Sequence, residues 1–469
     1  MSLLRFWAFL AVALPVLAAL LASLPTPDLA YHLRAGTQIL STGKIPATDT
    51  WTFTAQGLPW VDQQWGAQLT FELVYRASGW VGLVVLRAVL VAAMFGSLFE
   101  LCRRRGIGLR LAAWLTIGAF LVTAPALALR PQLLGMALFA VTLLIVSDRH
   151  SHPRRLWIVP IITVVWANSH GSFFLAPAVL GLAWLADLTL PGRDRHLPIV
   201  VAVVAAVAAC VTPFGVGVWG YAVGLGTNAG VTARITEWQP TSLREPIGIA
   251  FFGSAILVAL FLARQGRRVP FATLAWLAFF FLIGVYAERG IAWWPMAAVA
   301  AIVTLLEPRP EAARVEPNLI RLANRGLAVA LVLAAIVLVP FWRPVDPNLG
   351  APVGTLTYAP SELTAALRRI AQPGDRVLNP QIWGSWFEFS VPDLPVAIDS
   401  RIELFPESIW DEYTLVTTGG PGWESILDRW QVAVVVVRAG DDSFANRLRA
   451  AGWRTIFASV DGQILTRDL

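Results

Sequence analysis

Several small groups of side chains in this largely apolar chain are of types that could do chemistry. Asp28 and His32 lie in the stretch PDLAYHLRAGTQILSTGKIPATDTWTFTAQGLPWVDQQW, residues 27–65, with Arg34, Asp49 and Asp62 in the same stretch. Four positions apart, Asp28 and His32 share one face of a helix. A carboxylate there either serves as a base or simply complements the positive helix N-terminus, worth about 0.3–1 kcal/mol. Farther along, Arg130-Pro131-Gln132, Asn168-Ser169-His170-Gly171, Glu237-Trp238 and Glu288-Arg289 interrupt apolar sequence in the same way. Ionisable groups near membrane depth are costly and usually face a cavity or pathway, so convergence on one cavity is the economical reading. Taken singly, Arg130 reads as a snorkelling side chain and His170 as a satisfied interfacial histidine.

The elements that must position these groups follow from pattern. Thr26 is expected to cap a helix whose first residue is Pro27; Leu29, Leu33 and Leu40 mark its apolar face, and Gly43 followed by Pro46 stops it. The 469 residues are 57% hydrophobic and 14% charged, against about 25% charged in soluble domains, which indicates a polytopic membrane protein with soluble mass attached. Apolar runs lie at 3–24, 79–101, 110–128, 131–147, 156–169, 172–190, 197–217, 247–263, 269–286, 290–306 and 326–342. They predict about eleven transmembrane helices, the first retained rather than removed as a signal peptide; several fall short of the ~20 residues of a full crossing, so tilted or broken helices are expected.

Alternate loops carry Arg103, Arg104, Arg105 and Arg110; Arg149, Arg154 and Arg155; Arg193 and Arg195; Arg264, Arg267 and Arg268; and Arg309, Arg314, Arg321 and Arg325. By the positive-inside rule these loops are cytoplasmic, and every other polar group named above falls on the outer side together with the C-terminal tail. The net charge of +6 is therefore membrane topology, not affinity for nucleic acid. Cys102 and Cys210 offer no CxxC pair, zinc site or disulfide.

From about Val345 the character changes. Ser361 is expected to cap a helix through Ile370, PGDRVLN reads as turn then strand, and further strands are expected at 396–399, 432–437 and 453–459, with helices near 407–416, 423–430 and 443–451. This alternation predicts an α/β domain over 345–469, extracytoplasmic, following a transmembrane domain over 1–344 whose first external loop is 25–78. No Gly-rich phosphate loop opens any of its helices. Asp399 and Arg401 follow a strand, where they are either ligand contacts or a structural ion pair.

The first loop resembles that of a bacterial branch of the GT-C superfamily, membrane glycosyltransferases that take sugars from polyprenyl-phosphate carriers. The resemblance rests on Asp28, His32, Gly36, Gly43 to Pro46, Asp49, Pro59-Trp60 and Trp65, and later on WANSHG, TPFG, ITEWQP, WGSW and IDSR. Many superfamily members carry two adjacent acidic residues in this loop. Here Asp28 stands between Pro27 and Leu29, which weighs against a tightly held metal.

The resemblance implies transfer of a sugar from a polyprenyl-phosphate donor to a glycan, lipid or protein acceptor on the outer side of the cytoplasmic membrane, with inversion at the anomeric carbon. Such a reaction needs a base for the acceptor hydroxyl and a cation for the departing phosphate. Asp28 is the expected base and Arg130, Arg234 and Arg289 the expected phosphate clamps, since arginine matches phosphate oxygens in a bidentate way. His32, Asp49, Asn168, His170 and Glu237 complete the expected substrate contacts, and the tryptophan-rich loops would offer flat faces to sugar rings. No cofactor is assigned, and a divalent cation stays an open candidate with no ligands named. Membrane lipids are the other expected partner. Two alternatives remain: a lipid-linked glycan transporter or polymerase, against which no internal repeat is found, and a catalytically silent glycolipid-binding scaffold of the same fold.

Overall fold

In lipid every backbone amide must be satisfied within its own segment, so apolar runs of this length become helices. The computed structural model of the protein describes residues 1–188, 195–227, 232, 234–308 and 316–467. Arg193, Arg309, Arg314 and the last two residues of the 172–190 run lie outside the described residues. Five described helices are long and apolar enough to cross a membrane: Leu3–Leu21, Trp65–Arg104, Leu109–Ala126, Pro246–Gln265 and Asn318–Leu338. Pro131–Ser147, Gly171–Asp187, Leu197–Ala208 and Phe271–Tyr286 are shorter apolar helices. The Trp65–Arg104 helix is interrupted at Gly79, whose φ of 60° and ψ of −154° suit only glycine.

The chain divides into two compact units, residues 1–22 with 84–339 and residues 23–83 with 340–469. Every regular element among the described residues of the first is a helix. Its interior is aromatic: Phe139 meets Trp293 edge-on at 5.3 Å, and Trp166 and Phe280 pack around the same pair. Val203, Val207, Leu257 and Leu260 are exposed, which in an apolar helix is the face that lipid would cover.

The second unit joins the first loop to the tail. Its first helix spans Thr26–Thr42 and ends, as the sequence indicates, at Gly43 with φ 67°. Thr26 does not cap it. The cap position is Pro25, and the Thr26 hydroxyl points instead to the carbonyls of Thr357 and Tyr358 at 3.0 and 2.8 Å. A local cap is given up because Leu24 and Pro25 pair in parallel with Leu356 and Thr357, and that ladder presents the carbonyls. Gly36 permits a close crossing: a Cβ there would lie 2.5 Å from the Glu72 Cβ and 2.6 Å from the Gln68 carbonyl oxygen.

The tail contributes a mixed four-stranded sheet in the order Arg376–Leu378, Val432–Arg438, Gly462–Thr466, Arg454–Ala458, of which only the first pair is parallel. Leu378, Val435, Val437, Leu427, Phe444 and Leu448 form the core between sheet and helices. Three features depart from expectation. Val396 makes only isolated parallel bridges to Val377 and Thr52, not a strand through Asp399, because the first loop supplies its other neighbour. The final strand Gly462–Thr466 was not expected; its brief alternation after a turn at Asp461 and Gly462 is too short to stand out. Ser361 likewise begins its helix instead of capping it, with its hydroxyl 3.0 Å from Asp346 Oδ2.

Candidate functional site

In the second unit, Asp28 occupies the first turn of the Thr26–Thr42 helix, half-buried. His32, one turn later, is buried, its ring 4.0 Å from that of Tyr31. The helix start is fixed from the tail: the Ser400 hydroxyl donates to the Pro27 carbonyl at 2.9 Å, and Ser385 stands 3.1 Å from Ser400. These serines belong to IDSR and WGSW. Gly384 beside Ser385 is the only residue that fits there, since a Cβ would fall 2.0 Å from the Ile398 carbonyl oxygen.

Asp49 is buried and its carboxylate is fully engaged. It accepts from the Thr52 amide and hydroxyl at 3.0 and 2.7 Å and from Arg401 Nη2 at 2.7 Å. Arg401 also binds Asp399 through Nε at 2.8 Å, lies 3.5 Å from Glu388, and rests against the rings of Trp51 and Trp60 at 4.3 and 4.6 Å. Asp399 and Arg401 are thus a buried ion pair, and the two tryptophans, about 7% and 6% exposed, cover a guanidinium instead of presenting faces to a sugar. Burial and the Asp399 charge raise the Glu388 carboxyl well above its ordinary range, against the lowering effect of Arg401. Burial also pushes Asp62 up to about 7, against the lowering effect of the Gln68 hydrogen bond and the Arg401 charge.

The first unit holds the second cluster. Arg130 forms an ion pair with Glu237; Arg289 Nη2 lies 3.6 Å from Glu237 Oε2 and its guanidinium 5.4 Å from the Trp238 ring. Gln132 ties the arrangement together, accepting from Arg289 Nε at 3.3 Å and donating to the Arg289 carbonyl at 3.4 Å. Pro131 at the first turn of its helix holds Arg130 at the cap position in extended geometry. Burial would raise the Glu237 carboxyl, but Arg289 and Arg130 hold it below its usual range. Glu288 is shifted up by burial and by the charges of Glu237 and Glu245. Arg130, Gln132, Glu237, Glu288 and Arg289 line a cavity of about 110 Å3 whose remaining wall is apolar, including Val122, Ile247 and Ile291.

Burial and the Arg289 charge hold His170 down at about 3, so it is neutral. Its Nδ1 accepts from the Ser172 amide at 3.2 Å and lies 2.7 Å from the Ser172 hydroxyl, which accepts from Trp166 Nε1 at 3.0 Å. That leaves the proton on Nε2. Gly135 makes room for this group, a Cβ there falling 2.8 Å from Trp166 Nε1. Asn168 binds the carbonyls of Val164 and Val211 at 2.8 and 2.9 Å, a tie between segments. Arg234 is half-buried and does not line the cavity. Gln132, Ser385 and Ser400 were not singled out from sequence; only their place inside motifs marks them.

Among the described residues no three His, Cys, Asp or Glu side chains stand together in a way that could hold a metal ion. The one dense carboxylate group, Asp49, Glu388 and Asp399, is already occupied by Arg401.

No protein-family model matches the chain, and no curated protein sequence does. Solved structures do. The archaeal oligosaccharyltransferase AglB from Archaeoglobus fulgidus, in complex with an inhibitory peptide and a dolichol-phosphate, matches with a TM-score of 0.57 at 13% identity over 92% of this chain and 69% of that one. An Archaeoglobus fulgidus oligosaccharyltransferase tethered with an acceptor peptide gives 0.52 at 12%, over 99% and 74%. ArnT from Cupriavidus metallidurans in the apo state gives 0.50 at 15%, over 98% and 97%. At such identities it is the fold that is shared.

Proposed function

With the GT-C fold of these membrane glycosyltransferases as the premise, we propose that the chain transfers a sugar from a polyprenyl-phosphate carrier to an envelope glycan, lipid or protein on the outer side of the cytoplasmic membrane. The observation that carries this reading is the pair Arg130 and Arg289 around Glu237 at the wall of a cavity that Gln132, Glu288 and apolar side chains complete. Two guanidinium groups share the Glu237 carboxylate, and five N–H donors on each leave donors over for a second anion. Those donors suit a phosphodiester, and they favour the transition state further, because a second negative charge develops on the phosphate as it departs.

From the first-loop motif, Asp28 is assigned as the base that takes the proton of the acceptor hydroxyl, whose oxygen forms the new bond to the anomeric carbon. The bond from that carbon to the carrier oxygen breaks, and its electron pair stays on the phosphate held by Arg130 and Arg289. The neutral His170, with its Nε2 proton, is a hydrogen-bond donor in the same unit as the clamp. Mass spectrometry of lipid-linked sugars and envelope glycans from cells with and without the protein tests the proposal. Loss of one glycan modification with accumulation of its sugar on the carrier supports it; identical profiles overturn it.

A further inference from the structure

A cavity in the second unit contains none of the residues assigned to transfer. It measures about 310 Å3, at the lower end of the roughly 300–1,000 Å3 range of small-molecule sites. Its position follows from topology. Arg376–Leu378 and Val432–Arg438 are adjacent parallel strands, and the cavity opens at their carboxyl ends, where Leu378 to Ile382 and Val436 to Arg438 form its floor. In open α/β sheets ligands bind outside the carboxyl ends of parallel strands, and this is the one parallel pair of the four-stranded sheet.

The walls are held rigid by bonds that leave the interior unused. The Tyr413 hydroxyl accepts from the Gln381 amide at 3.1 Å and donates to the Asn379 carbonyl at 3.0 Å, so the tyrosine contributes its ring to the wall. Asn379 uses its amide group on the Ile398 carbonyl and the Ala397 amide at 2.9 Å each. The rim is different. Arg438, Asp441 and Ser443 are exposed, Arg438 forms no ion pair among the described residues, and the Asp441 side chain caps no amide of the helix it precedes. Thr417 adds a hydroxyl, and Phe444 and Ile382 add apolar surface beside the Tyr413 ring.

From this arrangement we propose that the cavity binds an acidic sugar, a ring bearing a carboxylate or a phosphate. Arg438 takes the anion through a charge-assisted, bidentate contact. Asp441 accepts ring hydroxyls, and the apolar face of the sugar lies on Tyr413 and Phe444. A nucleotide fits less well, since no Gly-rich loop opens the helices at this edge. Because the site shares no residue with the transfer machinery, it stands or falls separately from the transfer proposal.

The test is titration calorimetry on the full chain in detergent micelles with four probes: glucuronic acid, glucose 1-phosphate, glucose and inorganic phosphate. Both acidic sugars should bind saturably and glucose far more weakly. Arg438→Ala should weaken the acidic sugars by about tenfold or more, the scale of a lost charged contact. Asp441→Asn should weaken the sugars while leaving inorganic phosphate unchanged or tighter. Both positions are exposed, so an unchanged melting temperature verifies folding. Absence of saturable binding by either acidic sugar, or indifference to Arg438→Ala, would overturn the proposal. So would inorganic phosphate binding as tightly as glucose 1-phosphate, which would reveal a bare anion pocket.

Discussion

Arg401 reaches Asp49 at 2.7 Å across 352 positions of sequence, with both side chains fully buried. The contact makes the first loop and the tail one folding unit, because the same guanidinium serves Asp399 and lies against Trp51 and Trp60. Removing one partner of a buried pair leaves an uncompensated charge and costs on the order of 3–5 kcal/mol. Arg401→Met should therefore lower the melting temperature of the purified protein markedly. Arg401→Lys should recover little, since an ammonium cannot serve two carboxylates in a plane and lie flat on indole rings. An unchanged melting temperature in either variant would contradict this account of the cluster.

Asp62 gives the unit a pH dependence of definite sign. The unfolded chain loses this proton near pH 4, whereas the folded chain keeps it up to about 7. Between those values the folded state binds more protons, so stability is greatest below the unfolded value and falls as pH rises through the folded one. The slope from this group approaches about 1.4 kcal/mol per pH unit. Asp62→Asn, which keeps the shape without the titration, should flatten the fall in melting temperature between pH 4 and 7. Parallel curves for wild type and variant would show that Asp62 titrates normally.

The sequence shows what repeats and what is local. Apolar runs mark apolar helices, five of which among the described residues are long enough to cross a membrane; Gly43 ends the Thr26–Thr42 helix, and Arg401 is visible as either a ligand contact or an ion pair. What it hides depends on distant partners. Thr26 looks like a cap and bonds to residues 357 and 358, and Val396 looks like a strand and bridges to Thr52. Trp51 and Trp60 look like sugar platforms until a guanidinium from the tail is found on them. In the first unit, Arg130, Glu237 and Arg289 read as convergent on cost arguments alone, and they do meet; Gln132, which holds Arg289, carries no charge to draw notice.

If Arg130 and Arg289 grip the leaving phosphate, Ala at either position should raise the donor KM and lower kcat, with partial recovery by Lys. Glu237→Gln separates this from a structural network. Removing the carboxylate that competes with phosphate should leave donor binding intact or tighter, whereas a purely structural ion pair would lose stability in all three variants. Equal donor turnover by wild type, Arg130→Ala and Arg289→Ala would return the arginines to an anchoring role.

The side of the membrane is open to a direct check. Reporters that are active only outside the cytoplasm should work when fused after Leu469 or inserted near Gln56, because arginine-rich loops alternate with arginine-poor ones. A cytoplasmic C-terminus would undo the proposed placement of both loop and tail.

The central claim is that Asp28 is the base of a sugar transfer. Asp28→Asn keeps the shape, the helix position and the neighbouring Ser400 to Pro27 bond while removing the basic carboxylate. The measurement is transfer by the purified full-length protein from polyprenyl-phosphate sugar to an envelope acceptor extract, with donor binding and melting temperature followed alongside. The account predicts a loss of ~10²–10⁴-fold in rate with donor binding and folding retained. Transfer by Asp28→Asn at the wild-type rate would contradict it.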